Sequence, residues 1–300
     1  MKALLVRAFV LLTTLALAGE SGGGAFPGTN GQIAFTRGIA HGEIYVMNAD
    51  GSGKTRFTRN PANDFAPAWS PDGTRIAWTS DRAGSADLFV RTVGSTSNTR
   101  LTTNRAADEF PAWSPDGGTL AFISDRATRP TFEIFTLDVA SGSVARVTHN
   151  TRNDADPQWS PDGGAIAFVR EVGDTASFDL FTIGPDGRGL TRLTHSGADE
   201  FQPFWTPDGS EIFFVRWDGT HDSELWKVDS NGSTPPERVT DDAVDEWEPS
   251  VAPDGTKVTF TRWPPQSDPE IAVKNLVTGR VRNLTSNAAF DYEPDWQTIP

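Results

Sequence analysis

The 300-residue chain contains no cysteine, which excludes disulfides, thiolate metal sites, cysteine nucleophiles and a lipid-modified N-terminal cysteine. Positive charge is also scarce. Lys and Arg number 26 against 40 Asp and Glu, a formal net charge of −14, so the basic footprint of a nucleic-acid binder is missing and no nucleic-acid partner is expected. Histidines number four, too few and too scattered for an evident transition-metal set. The one G-x-S-x-G run, Gly19 to Gly23, falls in a Gly-rich stretch rather than at a strand-to-helix turn, which leaves no hydrolase nucleophile elbow. What the chain has in quantity is 28 Gly, 21 Pro, 10 Trp and 19 Phe, the residues of tight turns and of large packed contacts. With 37% hydrophobic residues the chain can bury a core.

The first residues read differently from the rest. Lys2 and Arg7 precede the apolar stretch from Ala8 to Ala18, which ends in Ala16-Leu17-Ala18. A charged start, a short apolar run and small residues at its end are the parts of a secretory signal peptide, expected to span residues 1–18. Its removal takes two cations and no acid, leaving 24 basic against 40 acidic residues and a mature charge of −16. Residues 19–30 are Gly-rich and expected to be a flexible lead-in. No later stretch is apolar for long enough to span a bilayer. The expected product is therefore exported, periplasmic or extracellular, a monomer, and without a membrane span after cleavage.

The body of the chain repeats itself. WSPDGTRIAW starts at 69, WSPDGGTLAF at 113, WSPDGGAIAF at 159, WTPDGSEIFF at 205 and VAPDGTKVTF at 251. A second marker, an apolar residue followed by Thr, ends at Thr58, Thr102, Thr148, Thr194, Thr240 and Thr285. Both recur every 44 to 46 residues, a period that fits a propeller blade of four short strands. In the unit around Trp69 the strands are Pro67-Ala68-Trp69, Arg75 to Trp78, Asp87 to Val90 and Thr99 to Thr102, separated by turn formers. Asn30 to Phe35 match a second strand with no first strand before it, and Pro294-Asp295-Trp296 match a first strand with nothing after it. One blade is thus shared between the two ends, which removes open sheet edges. The expectation is an all-β, six-bladed propeller over residues 31–300, with the N-terminal strands completing the C-terminal blade.

In S-P-D-G the proline presets φ, the aspartate bonds local backbone and the glycine accepts positive φ, so Asp72, Asp116, Asp162, Asp208 and Asp254 are read as turn residues. The pattern D-x-x-P-x-W-S-P-D-G-x-x-I-A-F-x-S-D-R at 64–82 and again at 108–126 resembles the PD40 (WD40-like) repeat of the TolB family. The resemblance extends over all six units. It implies a propeller whose face and channel receive a protein, in that family an envelope lipoprotein. The same repeat also resembles parts of peptidases and polysaccharide lyases, so fold and function are separate questions.

Connections entering each inner strand lie beside the channel on one face of a propeller, and here they are acidic: Asp64, Asp108, Asp154, Asp199, Asp245 and Asp291. Glu109, Asp156, Glu200, Glu246, Glu248 and Glu293 add to them. Carboxylates that close need neutralising. One neutraliser is internal, since Arg37, Arg82, Arg126, Arg170, Arg216 and Arg262 occur once per blade, and Asp–Arg pairs between adjacent blades are expected. The other is a ligand, either Ca²⁺ held by Asp108, Asp154, Asp199, Asp245 and Asp291, or a basic peptide or protein steered to the acidic face. The two readings of function are a non-enzymatic binding scaffold for an envelope partner, which requires no cofactor, and a carbohydrate-active lyase or hydrolase using channel carboxylates. Asp50-Gly51-Ser52-Gly53-Lys54-Thr55 is read as a hairpin rather than a phosphate loop, because position 48 is Asn. Trp217, Trp247 and Trp263 are read as packing residues or ligand platforms near the same loops.

Overall fold

The computed structural model describes residues 26–39, 41–128, 130–173, 177–219 and 222–300, and these fold as six four-stranded antiparallel sheets without a helix. The expected signal peptide and residues 19–25 of the lead-in lie outside the described residues. The first complete blade has Asp64–Trp69 innermost, then Arg75–Ser80, Asp87–Thr92 and, at the rim, Thr99–Arg100. Blades 2 to 5 follow with inner strands Asp108–Trp113, Asp154–Trp159, Asp199–Trp205 and Asp245–Val251. Blade 6 is made from both ends of the chain. Inner strand Asp291–Ile299 pairs with Thr29–Arg37, which continues into Glu43–Asn48 and Thr55–Arg56. Ring closure thus falls at the place the repeats predict.

Packing reaches into residues 26–30 of the expected lead-in. The first strand begins at Thr29, and Phe26 is buried against Ala68, Ala77 and Trp113. An aromatic ring close to apolar surface gains more from burial than it loses in chain freedom, so packing begins ahead of residue 31.

Blades are held face to face by apolar residues that alternate along the strands. Trp69, Trp113, Trp159, Trp205, Val251 and Trp296 are all buried at the same register between sheets. The indole Nε1 of Trp113 donates to Ala68 O of the preceding blade at 3.1 Å, and that of Trp205 donates to Gln158 O at 3.1 Å. The S-P-D-G segments are turns as expected. Asp72 Oδ1 accepts from Thr74 N at 3.0 Å, and Gly73 has φ +66°. A Cβ on Gly73 would stand 2.3 Å from Thr298 O, so this glycine also lets the closing strand approach.

Every inner strand carries a β-bulge three residues before the register position. Ala66, Phe110, Asp156, Gln202, Glu248 and Glu293 occupy it with φ between 51° and 61°, and each sits inside the irregular step of its strand pairing. Bulging turns the backbone N–H away from the ladder, so it needs another acceptor. A relay supplies it. Asp156 Oδ2 accepts from Gln202 N at 3.0 Å, Gln202 Oε1 from Glu248 N at 2.7 Å, Glu248 Oε2 from Glu293 N at 2.7 Å, and Glu293 Oε2 from Ala66 N at 2.7 Å. Ala66 has no side chain to continue it, and Phe110 N turns to Thr79 Oγ1 instead, at 3.0 Å.

Candidate functional site

The mouth of the channel is built from the beginnings of the inner strands and the ends of the second strands. Five residues before each register position stand Asp64, Asp108, Asp154, Glu200, Glu246 and Asp291, each wholly buried. Arg82 Nη2 reaches Asp64 at 2.8 Å, Arg126 Nη2 reaches Asp108 at 2.7 Å, and Arg170 grips Asp154 with two bonds of 2.6 and 2.7 Å. Arg216 takes Glu200 at 2.7 Å, and Arg37 takes Asp291 with bonds of 2.6 and 2.7 Å. The expected neutralisation by arginine is therefore present, with two corrections. Pairs form within a blade, because Arg170, Arg216 and Arg37 are direct ladder neighbours of their acids, while Arg82 and Arg126 reach back from two residues beyond the ladder partners Ser80 and Ser124. In blades 4 and 5 the inward position belongs to Glu200 and Glu246, while Asp199 and Asp245 lie one residue further out and are partly exposed.

A second ring of charge pairs was not anticipated. Each third strand carries a buried acid at or near its start: Glu43, Asp87, Glu133, Asp179, Glu224 and Glu270. Arginine from the outer strand covers five of them, Arg100 on Asp87 at 2.8 Å and Arg146 on Glu133 at 2.9 Å, with Arg56 on Glu43, Arg192 on Asp179 and Arg238 on Glu224. The Thr of the apolar-Thr marker completes the set. Thr58 Oγ1 donates to Glu43 Oε2 at 2.6 Å while accepting from Ile44 N at 2.8 Å. Two positions on, Asn60, Asn104, Asn150 and Asn287 each donate Nδ2 to the inner-strand aspartate of the next blade, and Ser196 does the same for Glu200. A spacing signal existed, since Arg recurs two residues before the marker Thr in five units.

Blade 5 departs from this scheme. Asp242 stands where the others have Asn or Ser, and it draws Arg262 Nη2 to 2.7 Å. Arg262 Nε is left 3.7 Å from Glu246, and among the described residues neither carboxylate oxygen of buried Glu246 has a hydrogen-bond partner. Burial, with added repulsion from Asp242 and Glu224, pushes the Glu246 carboxyl up to about 8. Glu109, half-buried and without an arginine partner among the described residues, is pushed up to about 7 by burial and by the charges of Asp125 and Asp108. Burial likewise raises Glu248 and Glu293, which share the inner ring, and Glu248 is raised further by Glu293.

The five aspartates expected to hold Ca²⁺ do not converge. They sit in five different blades, and protein donors already serve each: Arg126 on Asp108, Arg170 on Asp154, Arg37 on Asp291, Phe178 N on Asp199 at 3.3 Å and Ser223 N on Asp245 at 2.9 Å. Among the described residues no group of three or more His, Asp or Glu side chains is arranged to hold a metal ion.

Between the buried carboxylates and the bulges lies a ring of which the sequence pointed to Glu109 and Trp247 alone. Its members are Phe65, Glu109, Ala155, Phe201, Trp247 and Tyr292, and all but Ala155 are partly exposed. Phe201 contacts Trp247 at 6.0 Å between centroids and Phe178 at 5.7 Å. Trp263 packs edge-on against Phe290, whereas Trp217 is buried. His41, His149 and His195 are exposed, His221 lies outside the described residues, and Lys54 closes its hairpin onto Leu284 O at 3.1 Å.

Six blades of one repeating unit, closed by a composite sheet, define a β-propeller of tandem repeats. The family described as PD40, the TolB beta propeller domain, matches residues 83–234, about half of the chain, and the chain belongs to that family. Similarity to curated proteins is local. The Tol-Pal system protein TolB of Desulfosudis oleivorans is 43% identical over 60 residues, 20% of this chain and 14% of that protein. Dipeptidyl-peptidase 5 of Porphyromonas gingivalis is 46% identical over 46 residues, 15% of this chain and 7% of that one. Among solved structures, TolB from Acinetobacter baumannii superposes with a TM-score of 0.79 at 20% identity over 89% of this chain and 67% of that chain. An oligogalacturonate lyase in complex with manganese gives 0.60 at 17% identity over 80% and 70%. Likeness at such identities shows the fold alone.

Proposed function

We propose that the protein is an exported, monomeric, non-enzymatic scaffold that captures a protein or peptide partner on its channel-mouth face. The observation that carries this reading is the collar of half-exposed aromatics, Phe65, Phe201, Trp247 and Tyr292, at equivalent positions around the mouth. Aromatic side chains concentrate at the centres of protein interfaces, where they bring large rigid area at low entropic cost. Five of the six buried carboxylates beneath are engaged by arginines, so they brace the collar rather than capture the partner. Relatives named as Tol-Pal system proteins agree with an envelope role. Ca²⁺ is left out, because its expected ligands have protein donors already.

Photo-crosslinking from Trp247, with Val277 on the rim as the control position, tests the reading in envelopes of the producing cell. A discrete protein adduct from 247, absent from 277 and lost when Phe201 and Tyr292 are changed to serine, is expected. Equal adducts from both positions, or none, would overturn it. One feature favours a carbohydrate-active second reading: Glu109 holds its proton to about 7 beside the mouth, as a general acid must. Polysaccharide turnover that disappears in Glu109→Gln would establish that alternative.

A further inference from the structure

The repeat places a cation at one packing position in two of the six blades. Opposite Ile76 the third strand of blade 1 carries Arg91, and opposite Val258 that of blade 5 carries Lys274, where the corresponding pairs of blades 2, 3, 4 and 6 carry Leu137, Ile183, Val228 and Met47. All four of those are buried. Placing a guanidinium in such a position costs solvation that methionine would not. Arg91 lies flat on the Phe57 ring, with Cζ 3.5 Å from its centroid, and donates to Phe57 O. Its second terminal nitrogen reaches Asn98 Oδ1 only at 3.4 Å, and its buried Nε has no acceptor. No carboxylate among the described residues forms an ion pair with it.

Arg91 lies in a groove of about 510 Å³ between blades 6 and 1, shared with Arg56, Phe57, Arg59, Ser95 and Asn98. The volume suits a small ligand rather than a protein segment. Of the described residues lining it, none is acidic, although the chain carries −14. The corresponding groove between blades 4 and 5 has mixed charge, with Lys274 facing Asp208, Glu211 and Asp254. Arg56 is taken by Glu43. Exposed Arg59 has no ion pair among the described residues. Burial and the nearby Arg82 charge pull the Arg91 proton affinity below its usual value, so an anion placed there is attracted rather than merely tolerated.

We propose that this groove is a binding site for a small oxyanion, a carboxylate- or phosphate-bearing molecule, with Arg91 and Arg59 as its charged anchors. A planar guanidinium presents paired donors that match either group, and Ser95 and Asn98 supply neutral polar contacts beside it. The site is separate from the channel mouth and does not depend on the reading given above.

Titration calorimetry on the mature protein, with inorganic phosphate and with citrate against sodium chloride of matched ionic strength, tests this directly. Saturable one-to-one binding of at least one of the two anions is expected, weakening as salt rises, and whichever binds identifies the ligand's chemical group. Arg91→Met, which installs the residue found in blade 6, and Arg59→Ser, at an exposed position, should each weaken binding about tenfold or more, the loss of one charge-assisted contact. Lys274→Met should leave it unchanged. Failure of both anions to bind saturably, or affinities within about twofold of wild type in Arg91→Met and Arg59→Ser, would overturn the assignment. Arg59→Ser decides the matter if Arg91→Met does not fold.

Discussion

Replacing Asp242 by asparagine should stabilise the protein, and by more at alkaline than at acid pH. In five blades an Asn or Ser side chain donates to the buried acid of the next inner strand. In the remaining case Asp242 has nothing to donate and holds Arg262 away from Glu246. Asp242→Asn supplies the donor, which is worth about 1.5–3 kcal/mol when the acceptor is charged. It gives up a half-exposed Arg262–Asp242 pair worth about 0–1 kcal/mol. The net gain is about 1–2 kcal/mol, or about 2–4 °C in Tm for a chain of this length. Glu246 keeps its proton to about 8 in the folded protein against 4.5 in the unfolded chain. Stability is therefore drained as pH rises from about 4.5 to about 8, as the unfolded chain releases the proton first. Asp242→Asn relieves part of that loss, so Tm curves of the two proteins should nearly meet near pH 4.5 and stand furthest apart near pH 8. A variant that unfolds earlier than wild type, or one whose advantage is larger at acid pH, would refute the account of blade 5.

Two further outcomes follow from the inner ring and the ion pairs. Arg170→Met strands Asp154, which is wholly buried, and should cost about 3–5 kcal/mol by chemical denaturation. Adding Asp154→Asn should recover much of the loss, and a double variant no better than the single would count against a charge penalty. Glu248→Gln should flatten the fall of Tm between pH 5 and 8, because Gln202 already performs the same acceptor role uncharged at 2.7 Å. Burial and Glu293 raise the Glu248 carboxyl, so its stabilising share is present at low pH and lost on raising it. Parallel pH profiles for variant and wild type would exclude this.

Blade number, strand order and composite closure were all legible from spacing, because a repeat that packs only against its neighbours must keep its packing residues at one period. The charge ring was legible as residue types and less so as pairs. Asp199-Glu200 and Asp245-Glu246 each offer two adjacent acids, and only the strand register decides that the second faces Arg216 or competes for Arg262. Side chains alternate faces along a strand, so a one-residue offset exchanges the inward and outward acid. The bulge relay was hidden because it depends on φ at six positions whose residues share no chemistry, from Ala66 to Glu293. Arg91, by contrast, was visible to anyone aligning third strands, since it and Lys274 are cations where the other four blades have Leu, Ile, Val and Met.

The composite blade also sets an order of events in folding. Arg37 and Asp291, which share two hydrogen bonds, are 254 positions apart, so the first strand of the propeller to be synthesised is the last to find its inner neighbour. Until Asp291–Ile299 arrives, Thr29–Arg37 presents an unpaired edge beside a half-built ring, and closing so long a loop carries its entropic cost before any closing contact repays it. Blades 1 to 5 can assemble by local pairing at once, which makes the final docking the slow and aggregation-exposed step.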